Sequence, residues 1–145
     1  MITKWDLRWL KVAEQIASWS KHPDVKVGCV IVDHMNIQLS GGYNGLPRGL
    51  DDSRIHMQDK SVSSTAHAEA NAVAAAARKG HALDGGTCYI TRPACAQCAA
   101  LLIQAGIKRV VILNVHPGNK WVESCNIAAQ NLAEVGVEYV FYCNG

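Results

Sequence analysis

The sequence predicts an α/β fold, a mixed sheet of about five strands covered by helices on both faces. Three observations carry that expectation. Val27–Val32 and Ile37–Tyr43 are apolar, strand-length runs on either side of the turn Asp33-His34-Met35-Asn36, which reads as an antiparallel hairpin. Downstream of Thr87, strand-like and helix-like segments alternate, the pattern of right-handed βαβ crossovers with parallel pairing. Between these halves lies an alanine-rich stretch from Ala66 to Lys79, a strong helix former closed by Gly80 at the C-terminal cap position.

Taken in order, Leu7, Leu10, Val12, Ala13, Ile16 and Ala17 recur at helical spacing, so an amphipathic helix should run from near Asp6 to near Ser20. Trp5, Trp9 and Trp19 are spaced for packing along it, as core or interface residues. The hairpin follows. Asn44–Thr65 is polar, with Gly45, Pro47, Gly49 and paired aspartates; a loop this long in a small domain is usually functional or disordered. After the alanine-rich helix come strand Thr87–Thr91, helix Ala96–Ala105 ended by Gly106, and strand Arg109–Leu113. A helix near Ser124–Val135, ended by Gly136, and strand Val137–Tyr142 complete the pattern.

At 145 residues the chain fits one domain, 1–145. Hydrophobic residues make up 49% and charged residues 18%, which is ordinary soluble usage. The net charge of +2 comes without a basic run, which argues against a nucleic-acid surface but leaves enough cations for a small anion. The first residues lack the basic start and apolar core of a secretory signal, and no stretch reaches the roughly 18 apolar residues of a membrane span. A cytoplasmic location is therefore expected. Six cysteines would suffice for three disulfides, but that setting disfavours them. Cys29, Cys88, Cys125 and Cys143 read as small hydrophobes.

Two motifs carry chemistry. His67-Ala68-Glu69 stands at the start of the alanine-rich helix, and Cys95-Ala96-Gln97-Cys98 lies where a strand hands over to a helix. Cysteines three apart project from one side of a helical turn and can share a tetrahedral metal. With His67 they make three zinc ligands; no fourth lies nearby in sequence, which favours an open, catalytic position over a closed structural one. Helix N-termini at both motifs would stabilise thiolates. Glu69 is then placed as acid and base, taking a proton from water and delivering it to a ring nitrogen and a leaving amine. An isolated C-x-x-C could be a redox pair or half a zinc ribbon. The second C-x-x-C of a ribbon is absent, and the two motifs together in this order form the signature of zinc deaminases.

With those motifs in hand, the chain resembles the cytidine and deoxycytidylate deaminase superfamily, most of all its dCMP branch. The resemblance spans nearly the whole length. It rests on Val27-Gly28-Cys29-Val30-Ile31-Val32, Gly42-Tyr43-Asn44-Gly45-Leu46-Pro47-Arg48-Gly49, His67-Ala68-Glu69-Ala70-Asn71-Ala72-Val73, Cys95-Ala96-Gln97-Cys98 and Ile103-Gln104-Ala105-Gly106-Ile107-Lys108. It implies a three-layer α/β/α fold, zinc on His67, Cys95 and Cys98, Glu69 as proton shuttle, and hydrolytic deamination of dCMP to dUMP. For the substrate it implies a base-pocket wall at Val27, a sugar contact from Asn44, and base-edge contacts from the backbone around Ala68 and Ala94. It further implies a homo-oligomer, a hexamer in particular, activated by dCTP and inhibited by dTTP. Lys26, Asn44, Gly45, Arg48 and Arg78 are the effector candidates, with Mg²⁺ accompanying a triphosphate. For each cation the competing reading is a solvated surface charge. Other deaminase substrates, and a catalytically silent regulatory relative, are the alternatives; the presence of Glu69 speaks against the last.

One departure stands out. The superfamily pattern has proline directly before the first cysteine, whereas here Ala94 intervenes in Pro93-Ala94-Cys95. A reshaped turn with both thiolates retained is the expectation. Trp121, in a loop following a strand, is a further candidate for the border of a pocket. Tyr43 could stack on a nucleotide, although core packing is the commoner use of such a residue. No Cys/His cluster in the Gly49–Ala66 loop supports a second zinc.

Overall fold

The computed structural model describes residues 1–53 and 64–143. Its elements are α1 (Lys4–Ala17), β1 (Gly28–Val32), β2 (Gln38–Tyr43), α2 (Ala68–Lys79), β3 (Thr87–Ile90), α3 (Ala96–Gln104), β4 (Arg109–Leu113), α4 (Val122–Glu134) and β5 (Glu138–Tyr142). A short 3₁₀ turn, Asn119–Trp121, leads into α4.

The five strands form one mixed sheet in the order β2-β1-β3-β4-β5. β1 pairs antiparallel with both β2 and β3, while β3–β4 and β4–β5 are parallel. The hairpin closes through Asn36 in a left-handed conformation (φ 61°), with Asp33 Oδ1 accepting the N–H groups of Met35 and Ile37. α1 packs on one face of the sheet; α2, α3 and α4 cover the other. Strand residues sort between these faces by strict alternation. Cys29, Ile31, Cys88, Ile90, Val110 and Ile112 face α2–α4, and Val30, Val32, Tyr89, Val111 and Leu113 face α1. Burial on both sides explains why the strands read as unbroken apolar runs.

Two glycines set how closely helices approach the sheet. A Cβ at Gly28 would overlap the carbonyl of Ala13, so α1 crosses β1 backbone to backbone. At Gly42 a Cβ would lie 2.8 Å from Ala72 N and 2.9 Å from Ala68 O, so the first turns of α2 rest directly on β2. Ser40 reinforces that contact by donating to the carbonyl of Ala72 at 2.6 Å.

The start of α1 is tied down by a buried charged cluster. Thr3 and Asp6 form a capping box, and the Asp6 carboxylate also accepts from Tyr89 Oη at 2.7 Å and from both terminal nitrogens of Arg109 at 2.7 and 2.9 Å. Burial alone would raise the Asp6 pKa. The hydrogen bonds from Arg109, Thr3 and Tyr89, with the Arg109 charge, outweigh burial and hold it at about 2.

The structure differs from the sequence expectations in a few places. α2 begins at Ala68 rather than Ala66, because Ala66 is engaged in a bridge with Gly45 and His67 is extended (φ −71°, ψ 158°). Trp5 and Trp19 are exposed on this chain rather than core. The buried stripe of α1 is Asp6, Leu10, Ala13, Ile16 and Ala17, and Trp9 is half-buried with its indole N–H on Asn36 Oδ1. Tyr43, at the end of β2, is also exposed, edge-on to Trp19. All six cysteines are free. Cys29 and Cys88 are buried with their sulfurs 3.4 Å apart, Cys125 is half-buried, and Cys143 is exposed rather than packed. Most of the Asp51–Thr65 loop, with His56, lies outside the described residues. Among the described residues no helix is long and apolar enough to cross a membrane.

Candidate active site

The site lies where α2 and α3 begin. Strand β3 ends at Ile90, and residues 91–95 turn into α3, with Cys95 as its N-cap (φ −81°, ψ 168°). Cys98 sits one turn on, and its N–H donates to Cys95 Sγ at 3.5 Å. From the neighbouring helix, His67 is the N-cap of α2. Its Nδ1 lies 3.5 Å from Cys95 Sγ and 3.3 Å from Cys98 Sγ. One nitrogen and two sulfurs therefore converge within 4.8 Å of one another. That donor set, borderline-soft and three in number, fits zinc, and among the described residues no fourth His, Cys, Asp or Glu ligand joins it. Among the described residues no other group of three His, Cys, Asp or Glu side chains comes this close.

Protons are shared unevenly in the cluster. The hydrogen bond from Cys98 pulls the Cys95 thiol down to about 4, while the same shared proton and burial push Cys98 upward. The hydrogen bond with Cys95 raises His67. Glu69 is 4% exposed, and burial raises its carboxyl; it interacts with the Cys98 thiol. Burial thus favours the protonated forms of Cys98 and Glu69 beside a Cys95 thiolate; a divalent cation bound here would displace the remaining thiol proton and leave two anionic sulfur ligands.

The turn around Cys95 is held from the C-terminal part of the chain. Ala94 N–H donates to Tyr139 Oη at 3.2 Å, and Ala96 N–H donates to Ser124 Oγ at 2.9 Å. Burial pushes Tyr139 up to about 12, so it is a neutral phenol. Trp121 stands edge-on to His67, with ring centroids 5.6 Å apart. Its loop is anchored by Arg92, whose guanidinium donates to the carbonyl of Pro117. Of these residues only Trp121 was marked by its position in sequence. Arg92, Ser124 and Tyr139 carry no local pattern that would single them out.

The remaining candidates fall in several places. Asn44 is buried, with Oδ1 accepting from Val27 N–H at 2.8 Å and Nδ2 donating to Val25 C=O at 2.9 Å. Its side chain thus shapes the segment entering β1, leaving the second amide proton for any ligand. Val27 packs partly buried against the core. Ala68 and Ala94 are fully buried, and the Ala94 N–H is already donated to Tyr139, so only its carbonyl is left for a base edge. Lys26, with Arg92 and His116, lines a cavity of about 440 Å³ that also includes Glu14 and Asp24. Gly45 exchanges two backbone hydrogen bonds with Ala66, and Arg48 is exposed just beyond it. Arg78 is exposed in the last turn of α2, about 16 Å along the helix from His67. Asn44 bonds to the residues on either side of Lys26 and is followed by Gly45 and Arg48, so these four candidates share one neighbourhood, whereas Arg78 stands in the last turn of α2.

Comparison with known proteins agrees with this geometry. Residues 3–114 match the family model of the cytidine and deoxycytidylate deaminase zinc-binding region. An uncharacterised deaminase of Aliivibrio fischeri is 36% identical over 95% of this chain and 93% of its own length. Human deoxycytidylate deaminase is 32% identical over 77% of this chain, which spans 65% of that protein. For a probable deoxycytidylate deaminase of Caenorhabditis elegans the identity is 38% over 73% of this chain and 55% of the relative. Among solved structures, the dCMP deaminase of cyanophage S-TIM5 in complex with dCMP and dUMP superposes with a TM-score of 0.78 at 26% identity. That alignment covers 98% of this chain and 99% of the phage protein. With the match extending over most of its length and through both motifs, the chain belongs to the cytidine and deoxycytidylate deaminase zinc-binding family.

Proposed function

We propose that this chain hydrolyses dCMP to dUMP and ammonia, with His67, Cys95 and Cys98 holding zinc and Glu69 moving the protons. The observation that carries the reading is the convergence of one imidazole nitrogen and two thiol sulfurs beside a buried carboxyl, at the N-termini of two adjacent helices. When bound, zinc supplies Lewis-acid charge that lets water act as a nucleophile near neutral pH.

The chain's own residues account for the rest. Glu69, whose carboxyl is raised by burial, is suited to accept a proton from the attacking water and pass it to the ring nitrogen, then to carry the second proton, from the hydroxyl added to the base, to the departing amine. Val27 would wall the base, Asn44 would reach the sugar with its remaining amide proton, and the backbone at Ala68 and Ala94 would meet the base edge. Trp121 shields the His67 side of the site from water. The names of the relatives and the dCMP and dUMP bound in the phage structure support the same substrate.

Regulation by dCTP and dTTP through Lys26, Asn44, Gly45, Arg48 and Arg78, with Mg²⁺ on the triphosphate, belongs to the same proposal. So does a hexamer in the cytoplasm. Since Arg78 is remote from His67 on its own helix, a contact between copies is the natural setting for it.

The decisive experiment is ammonia release from dCMP, deoxycytidine, cytidine, dCTP and a single-stranded DNA oligonucleotide, each with and without dCTP or dTTP. Turnover of dCMP, raised by dCTP and lowered by dTTP, is expected. Turnover of the nucleoside or oligonucleotide in its place would retain the chemistry and remove the substrate assignment. A response to neither effector would remove the regulatory part alone.

A further inference from the structure

Cys95 is bracketed by hydrogen bonds to the α4–β5 unit, beyond the 3–114 region that the family model matches. One residue before it, Ala94 N–H donates to Tyr139 Oη at 3.2 Å; immediately after it, Ala96 N–H donates to Ser124 Oγ at 2.9 Å. Cys125, next to Ser124, adds a longer contact from its sulfur to the carbonyl of Pro93 at 3.9 Å. Ala94 is fully buried, so its N–H has no water to turn to and must find a partner in the protein. The zinc-deaminase signature carries proline at this position, which has no N–H to satisfy and a fixed φ. Moving the proline back to position 93 creates a buried donor and frees a torsion. Tyr139 takes up the donor.

We propose that Tyr139 and Ser124 are positioning residues for the zinc-binding turn, replacing the restraint that a proline at 94 would supply. Pinning the chain on both sides of Cys95 fixes the direction of its Cα–Cβ bond, and so where its sulfur points relative to His67 Nδ1 and Cys98 Sγ. The C-terminal helix and strand thereby act on the metal site without contributing a ligand. The inference rests on the zinc assignment made above.

The test is the rate at which the zinc-loaded protein releases its ion to the chelating dye 4-(2-pyridylazo)resorcinol. Tyr139→Phe removes the acceptor and keeps the ring, and should speed release about tenfold. Adding Ala94→Pro removes the orphaned donor, and the double variant should return toward the wild-type rate. Ser124→Ala should also release faster, should be restored by Ser124→Thr, and should be unaffected by Ala94→Pro. Tyr142→Phe, on the opposite face of β5, is the control and should release as wild type. Wild-type release from Tyr139→Phe, or a folded double variant that releases as fast as the single one, would overturn the proposal. If the Ala94→Pro protein does not fold, the Ser124 pair decides: threonine as fast as alanine overturns it, and restoration upholds it. A wild-type protein that takes up no zinc would instead defeat the functional reading on which this one rests.

Discussion

Two buried polar clusters sit on opposite faces of one sheet, and they differ in whether the chain itself supplies a cation to the acidic groups. On the α1 face, Asp6 is met by Arg109, Tyr89 and the Thr3 N–H, so a carboxylate and a guanidinium cancel within the protein. On the other face, Cys95, Cys98 and Glu69 gather around His67, with no lysine or arginine of the described residues bonded to them. The first cluster is complete as it stands and holds α1 to β3 and β4. The second draws together acidic groups that a positive ion would complete. A buried group with all its partners supplied by the chain builds the fold, whereas a set left short of charge is where chemistry is to be sought.

That contrast can be broken from either side. The largest effect is expected at Glu69. Glu69→Gln should keep zinc and the melting temperature while lowering kcat by about 10²–10⁴-fold, measured by ammonia release; near-normal turnover would take Glu69 out of the mechanism. Cys98→Ala should lose the ion, read by metal analysis of the purified protein, and full zinc occupancy would defeat the ligand assignment. At the balanced cluster the effects fall on stability. Asp6→Asn leaves the Arg109 charge only partly answered by Glu138, and should cost about 2–4 kcal/mol in denaturant unfolding while leaving zinc content unchanged. Because the folded Asp6 pKa is depressed, its contribution is complete above the ordinary carboxylate range. It should be lost as pH falls from about 4 toward about 2, and the Asn variant should lack that part of the acid transition. Tyr89→Phe, which removes one of several donors, should cost about 1 kcal/mol.

Much of this was legible in the sequence because it was local. Strand and helix order follows from apolar runs and from the glycines at 80, 106 and 136, and the structure reproduces each element within a few residues. The two motifs announce themselves because ligand spacing on a helical turn is itself a local pattern. What could not be read joins distant residues. Asp6 and Arg109 are 103 positions apart, and nothing in either neighbourhood names the other. Tyr139 and Ser124 resemble any strand tyrosine and helix serine until the fold brings them to Ala94 and Ala96. For Trp5 and Trp19 spacing alone left core and interface open, and their exposure removes the core reading, since an aromatic ring at helical intervals can cover a surface as readily as fill a core. The displaced proline was visible in sequence, but its consequence was not, because an orphaned N–H is defined by what surrounds it.

Gly42 gives α2, the helix that opens with His67 and Glu69, a close mounting on the sheet. Side chains between a helix and a sheet ordinarily act as a cushion, taking up small displacements by changing rotamer. Here, at Gly42, the first turns of α2 meet β2 backbone to backbone, and the short side chains of Ser40 and Asn71 bond directly across the contact rather than cushioning it. Movement of β2 would therefore reach His67 and Glu69 undamped, and even one added methyl group at position 42 would act as a shim, lifting both residues away from the two cysteines.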